Sequence, residues 1–136
     1  MRILIVEDES GSRTVLQRFL EPYGKCYIAV DGAEAIECFN QAIIDGDPFD
    51  LICLDIRMPK MDGLEVLRRL RRSEQERGIR PLDGTKVIMT TQADEPSDVL
   101  GAFKSGCEAY VIKPIDKQTL IREIQKLGLI SASESL

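Results

Sequence analysis

Five short apolar stretches divide the chain, and each has the length of a β-strand. They span residues 3–6, 27–30, 51–54, 87–89 and 110–112. Most of them are apolar throughout instead of alternating with polar residues, which is typical of parallel strands that are covered on both faces. The pattern therefore predicts five buried strands.

Between and after these strands, apolar residues recur three or four positions apart, as they do on the buried face of a helix. The stripes consist of Val15, Leu16, Phe19 and Leu20; Ala35, Ile36, Phe39 and Ile43; Leu64, Leu67 and Leu70; Val99, Leu100 and Phe103; and Leu120, Ile121, Ile124 and Leu127. Gly24 is expected to end the first helix, and Pro96 is expected to begin the fourth. Strands that alternate with helices predict an α/β fold, a flavodoxin-like doubly wound parallel sheet of five strands in the order 2-1-3-4-5 with five helices.

The length of 136 residues is sufficient for one domain with a sizeable core. We expect this domain to occupy residues 1–129 and a short polar tail to occupy residues 130–136. No second domain or linker is predicted from the composition along the chain. Only residues 3–6 form an apolar run before Glu7, and this run is too short for a signal peptide or a membrane span.

Charge and cysteine content narrow the classes of protein further. A formal net charge of −5 removes the electrostatic attraction on which general binding to nucleic acid depends. The four cysteines are scattered and histidine is absent, so the sequence predicts reduced thiols in a cytoplasmic protein and no zinc site.

Polar residues follow four of the predicted strands: Glu7 and Asp8, Asp55, Thr90 and Thr91, and Lys113. In a doubly wound sheet these positions lie at one edge, near the point where the strand order reverses and ligands bind. Three carboxylates that meet there repel one another unless a cation neutralises them. Mg²⁺ binds carboxylates together with phosphate oxygens, and a lysine adds a charge suited to a phosphoryl group. The edge is predicted to be a site for phosphate chemistry.

Each of these residues also has an ordinary structural interpretation. Glu7 and Asp8 could form a solvated strand end, Asp55 a helix or turn cap, Lys113 a surface lysine, and Thr91 a β-branched strand residue. Their convergence at one edge favours the functional interpretation. A basic run on the third helix, formed by Arg68, Arg69, Arg71 and Arg72, is interpreted as a solvated face.

Several motifs resemble the receiver domains of two-component response regulators, in particular the stand-alone, chemotaxis-regulator-like type. They are the sequence IVED at residues 5–8, DIRMPKMDG at residues 55–63, Thr91, and Lys113-Pro114. The resemblance covers nearly the whole chain. It departs from the family pattern at Gln92, where a small residue is usual, and in the longer stretch over residues 73–84, which we expect to be a lengthened third helix and a turn.

The resemblance implies a role for each site residue. Asp8, Asp55 and the backbone carbonyl of Arg57 would bind Mg²⁺, with Glu7 acting mainly through water. Asp55 would carry the phosphoryl group, Thr91 and Lys113 would contact its oxygens, and Tyr110 would follow Thr91 in the conformational switch.

Thr90 competes with Thr91 for the switch role, and the spacing to Lys113 favours Thr91. Arg57 and Ala93 would flank the route by which water reaches the phosphorus, and the Lys113-Pro114 bond would be cis.

By the same resemblance, the phosphoryl donor is a histidine kinase or a histidine phosphotransfer protein. The output is expected to be a protein target bound through helix 4, strand 5 and helix 5, since no output domain follows. The domain would thus be a self-phosphorylating and self-dephosphorylating switch, in either chemotaxis or a phosphorelay. The alternative is an interaction module of the same fold that is never phosphorylated. A phosphatase of the haloacid dehalogenase type is disfavoured because its nucleophile follows the first strand, and a flavodoxin because Glu7-Asp8-Glu9 would repel a flavin phosphate.

Overall fold

The computed structural model describes residues 1–92 and 95–131, and in these ranges five strands alternate with five helices. The strands are β1 (Arg2–Val6), β2 (Lys25–Ala29), β3 (Leu51–Leu54), β4 (Lys86–Thr91) and β5 (Ala109–Ile112). The helices are α1 (Ser10–Leu20), α2 (Gly32–Ile44), α3 (Gly63–Glu76), α4 (Pro96–Ser105) and α5 (Lys117–Lys126). The predicted alternation is confirmed.

The strands form one parallel sheet in the order β2-β1-β3-β4-β5, which confirms the predicted topology. In this order the chain leaves the sheet centre in opposite directions after β1 and after β3. Val6 at the end of β1 lies opposite Leu54 at the end of β3. The residues that follow these two strands therefore emerge side by side, at the topological switch point where doubly wound sheets bind ligands.

The sheet has a hydrophobic layer on each face. Ile52 and Leu54 of β3 belong to the layer under α2, α3 and α4, whereas Leu51 and Cys53 belong to the layer under α1 and α5. All four side chains are buried because successive residues of a strand point to opposite faces. This two-sided burial is the physical reason for the continuous apolar runs in the sequence.

Short polar side chains and prolines define several helix ends. Asp31, Asp62 and Asp116 accept hydrogen bonds from backbone N–H groups in the first turns of α2, α3 and α5. Pro96 is the first residue of α4, as predicted. Helix α1 ends at Leu20, before the expected stop at Gly24, because Pro22 has no N–H to continue the helix and a 3₁₀ turn follows. In the described part of the chain, none of these helices has both the length and the apolar character needed to cross a membrane.

Helix α3 extends to Glu76 and is followed by a 3₁₀ turn over Pro81–Asp83, in agreement with the lengthened helix and turn predicted for residues 73–84. Arg68, Arg69 and Arg72 are exposed, as expected for a solvated face. Arg71 differs from them because it turns inward. Its guanidinium donates hydrogen bonds to the carboxylates of Glu74 and Glu108 and to the backbone carbonyls of Thr85 and Gly106.

The chain remains packed beyond α5. Ile130 is buried in the layer under α1 and α5, and Leu129 packs against the same layer. Residue 130, which was expected to begin the polar tail, therefore contributes to the core. Residues 132–136 of the predicted tail, and Ala93 of the predicted water route, lie outside the described residues.

Candidate functional site

Three carboxylates meet where β1 and β3 end. Glu7 and Asp8 follow β1, Asp55 follows β3, and the backbone N–H of Asp55 donates to the carbonyl of Val6 at 3.2 Å. One ligand oxygen from each carboxylate lies within 4.8 Å of the other two. The structure thus brings together the three acidic residues that the sequence predicted to meet.

The three carboxylates differ in their exposure to water. Glu7 is 0% exposed and Asp55 is 4% exposed, whereas Asp8 is exposed. Burial raises the pKa of Glu7 to about 7, and the negative charge of Asp55 contributes to this rise. The hydrogen bond from Lys113 acts in the opposite direction and lowers the pKa. Two buried carboxylates and one exposed carboxylate therefore share a small volume that favours a positive charge.

Lys113 supplies one positive charge from the end of β5. Its ammonium donates hydrogen bonds to Oδ2 of Asp55 at 3.1 Å and to Oε1 of Glu7. Burial alone would lower the pKa of this ammonium, but the hydrogen bonds to Glu7 and Asp55 raise it above its ordinary value. The backbone N–H of Lys113 donates to the carbonyl of Thr91 at 2.8 Å, and the Lys113-Pro114 bond is cis.

The donor set fits a hard divalent cation. Oxygen atoms of Glu7, Asp8 and Asp55 are the ligand type that Mg²⁺ prefers, and one ammonium cannot balance three carboxylates. The backbone N–H of Arg57 donates to Oδ1 of Asp55 at 3.1 Å, so the loop after β3 folds back toward the acidic cluster. The exposed position of Asp8 leaves one side of the cluster open to solvent and to a ligand.

Thr90 and Thr91 end β4 and are both buried, yet they point to opposite faces of the sheet. Met89 belongs to the layer under α2, α3 and α4, so alternation directs Thr91 to that same side. Tyr110 also packs against this layer, whereas Thr90 is directed toward α1 and α5. The hydroxyl of Thr90 has no hydrogen-bond partner among the described residues. Because Thr91 and Tyr110 lie on the same side of the sheet, the structure favours Thr91 over Thr90 as the threonine that acts together with Tyr110.

The ion pair between Arg57 and Asp98 was not foreseen from the sequence. Nη2 of Arg57 lies 2.9 Å from Oδ2 of Asp98, which joins the loop after β3 to the first turn of α4. Tyr110 lies in the same region, and burial and the negative charge of Asp98 raise its pKa to about 12. An acidic residue in the first turn of a helix is common, so Asp98 carried no signal of this pairing.

Beside the site lies an open cleft of about 560 Å³, with Gln92 on its lining. The other lining residues are Glu9, Gly11, Ser12, Val15, Lys113, Pro114 and Ile115. Gln92, the residue that departs from the resemblance, is exposed. Lys113 is the residue that the cleft shares with the site.

Similar curated proteins are sensor kinases and regulators. The chain is 31% identical over 134 residues to "Probable histidine kinase 2" of Oryza sativa subsp. indica, a match that covers 91% of this chain and 12% of that protein. It is 33% identical over 127 residues to "Transcriptional regulatory protein AruR" of Pseudomonas aeruginosa, which covers 93% of this chain and 48% of that protein. This chain therefore spans less than half of each of these relatives.

Solved structures of similar proteins have the same fold over nearly their whole length. Chemotaxis protein CheY4 of Vibrio cholerae matches with a TM-score of 0.75 and 26% identity, over 93% of this chain and 97% of that one. The receiver domain of the histidine kinase CKI1 of Arabidopsis thaliana, solved with Mg²⁺ and BeF₃⁻, matches with a TM-score of 0.76 and 29% identity, over 92% and 89%. Residues 3–125 match the family model of the response regulator receiver domain, and the chain belongs to that family.

Proposed function

We propose that this receiver domain is a phosphorylation-controlled switch in which Asp55 accepts a phosphoryl group. The observation that carries the proposal is the contact of 3.1 Å between the Lys113 ammonium and Oδ2 of Asp55, beside two further carboxylates. The proposed unit comprises residues 1–129, as expected from the sequence, together with the buried Ile130. It acts as a stand-alone regulator and resides in the cytoplasm. The four cysteines are free thiols, which is compatible with a reducing compartment.

Asp55 is the nucleophile in the proposed reaction. One of its carboxylate oxygens attacks the phosphorus of a phosphohistidine on a kinase or phosphotransfer protein, so that an O–P bond forms while the P–N bond breaks. The histidine nitrogen keeps the electron pair of the broken bond and takes up a proton. An ionised carboxylate needs no general base for this step, which fits a site without histidine.

Asp8, Asp55 and the backbone carbonyl of Arg57 are the proposed magnesium ligands, and Glu7 acts mainly through water. When bound, Mg²⁺ would supply charge neutralisation for the transferring group. Glu7 and Asp55 hold the Lys113 ammonium at the site, where it can contact a phosphoryl oxygen. Phosphoryl transfer depends mostly on positioning and charge neutralisation, and these residues supply both.

Thr91 and Tyr110 are the proposed switch residues. The phosphoryl group adds charge and acceptor oxygens at the end of β3, and the hydroxyl of Thr91 donates a hydrogen bond to one of them. Thr91 and Tyr110 share one side of the sheet, so movement of the threonine makes room for the tyrosine ring to turn inward. Water later hydrolyses the acyl phosphate and resets the domain.

The proposed output surface consists of α4, β5 and α5. Leu100 and Phe103 of α4 and Ile112 of β5 are large apolar side chains that remain exposed. The ring of Phe103 lies 6.5 Å from that of Tyr110 between centroids, which places the switch residue beside this surface. A downstream protein that binds these side chains would detect the position of Tyr110.

The test of this function is intact-mass analysis after incubation with acetyl phosphate and Mg²⁺. We expect the wild-type protein to gain one phosphoryl group and Asp55→Asn to gain none. Asp62→Asn is the matched control, because it changes a carboxylate of the same loop that only caps α3. Equal labelling of wild type and Asp55→Asn would refute the assignment, and labelling of neither protein would favour the unphosphorylated interaction module.

A further inference from the structure

One ion pair connects α4, a helix of the proposed output surface, with the loop after β3, called the acceptor loop here because it begins with Asp55. Nη2 of Arg57 lies 2.9 Å from Oδ2 of Asp98, across 41 residues of sequence. The backbone of Arg57 contacts Asp55 through its N–H, and Asp98 lies in the first turn of α4. Arg57 therefore touches the acceptor with its backbone and α4 with its side chain.

The ion pair is held weakly enough to be exchanged. The Arg57 side chain is 60% exposed and that of Asp98 is 18% exposed. Ion pairs near the surface contribute little net stability because water competes for both partners. A phosphoryl group carries more negative charge than a carboxylate and offers three acceptor oxygens to a guanidinium. A phosphoryl group on Asp55 is thus a stronger competitor for Arg57 than Asp98 is.

We propose that the Arg57 side chain exchanges partners, binding Asp98 in the resting state and the phosphoryl group once Asp55 is modified. The exchange releases the first turn of α4 from the acceptor loop. This inference rests on the proposed phosphorylation of Asp55. It concerns the side chain of Arg57, whereas the proposed metal site uses only its backbone carbonyl.

The surroundings of Tyr110 connect this exchange with the output surface. Asp98, Arg57 and Asp55 are among the groups whose charges act on its phenol. Loss of the contact between Arg57 and Asp98 would therefore alter the charges around the switch tyrosine at the moment when Asp55 is modified. The ion pair stabilises the resting arrangement, and by reciprocity its removal strengthens binding of a phosphoryl group.

The test measures affinity for beryllofluoride in the presence of Mg²⁺, by fluorine NMR or calorimetric titration. We expect Asp98→Asn to bind beryllofluoride about 2- to 5-fold more tightly than wild type, the range that corresponds to loss of one partly exposed ion pair. In the R57Q background the same substitution should change the affinity less than about 1.5-fold, because the competing contact is already absent.

Glu95→Gln is the matched control for charge. Glu95 precedes α4, is exposed and makes no ion pair among the residues that the structure describes. Its substitution removes one negative charge from the same helix end without touching Arg57. An equal gain of affinity in Glu95→Gln and Asp98→Asn would overturn the exchange, and so would an equal effect of Asp98→Asn in the wild-type and R57Q backgrounds.

A second readout separates the exchange from a purely structural role. Without ligand, the amide resonances of Val99 and Leu100 in Asp98→Asn should move part of the way toward their beryllofluoride-bound positions in wild type. Shifts in an unrelated direction would contradict the exchange. If wild type binds no beryllofluoride, the proposed function fails and the exchange fails with it, whereas normal binding without these effects defeats the exchange alone.

Discussion

Lys113 Nζ lies 3.1 Å from Asp55 Oδ2, although 58 residues separate the two in sequence. The same ammonium donates to Glu7, so one lysine pairs with both buried carboxylates of the site. Because Asp8 adds a third carboxylate to the cluster, one lysine does not balance its negative charge. A divalent cation and the lysine can therefore act on the same carboxylates without replacing each other.

The pKa of Glu7 predicts how the stability of the metal-free protein depends on pH. A folded-state pKa of about 7, raised above its ordinary value of 4.5, means that the folded protein keeps a proton that the unfolded chain loses. The contribution of Glu7 is then fully present below about pH 4.5 and is lost as the pH rises toward 7. We expect the free energy of unfolding to fall by up to about 3 kcal/mol across this range.

The substitution Glu7→Gln tests this pH dependence by chemical denaturation in EDTA at several pH values. The variant should lose most of the decline between pH 4.5 and 7, because the glutamine side chain does not titrate. Glu9→Gln is the control, since it removes an exposed carboxylate from the same loop. An unchanged slope in Glu7→Gln would assign the decline to other groups.

Removal of the exposed carboxylate should weaken metal binding. We expect Asp8→Ala to lower the affinity for Mg²⁺ by about 10-fold or more, because it removes a proposed direct ligand. Glu7→Ala should lose less, since its contact is proposed to run through water. Calorimetric titration measures both affinities, with Asp31→Ala as a control that removes a carboxylate capping α2. Unchanged affinity in Asp8→Ala would contradict the assignment.

Much of the fold and of the site was predictable because both depend on local pattern and strand order. Residues 51–54 were predicted with the bounds that β3 has, since a strand buried on both faces is apolar throughout. Glu7, Asp55 and Lys113 were expected to meet because each follows a strand of one parallel sheet. Chain topology alone brings such residues to one edge, whatever the helices between them contain.

The unforeseen features depend on contacts between distant elements. Arg71 and Arg72 are adjacent and chemically identical, yet only Arg71 faces Glu108 and the carbonyl of Gly106, more than 30 residues away. The pairing of Arg57 with Asp98 likewise requires the orientation of α4 against the loop after β3. Ile130 was assigned to the tail because residues 131–135, which follow it, are small or polar, and only its packing shows that it belongs to the core. Local periodicity contains none of this information.

The inward arginine is expected to contribute strongly to stability. Arg71→Met leaves the buried carboxylate of Glu74 without its cation and removes the link to Gly106, so we expect a loss of about 2–4 kcal/mol in the free energy of unfolding. Arg72→Met, the adjacent exposed position, should change it by less than about 0.5 kcal/mol. Urea denaturation compares the two variants directly. Equal effects would show that the network around Arg71 is not stabilising.

Substitution of the two adjacent threonines should separate switching from stability. Thr91→Val removes the hydroxyl proposed to bind the phosphoryl group, so Asp55 should still be labelled while the environment of Tyr110 no longer responds. NMR of wild type and variant, each with and without beryllofluoride and Mg²⁺, measures the response at Tyr110 and α4.

Thr90→Val should keep the full response and raise the free energy of unfolding by about 1 kcal/mol, because a buried hydroxyl without a partner among the described residues is removed. If Thr91→Val retains the wild-type shifts, Thr91 is not the switch residue. If Thr90→Val loses them, the switch role is not confined to Thr91.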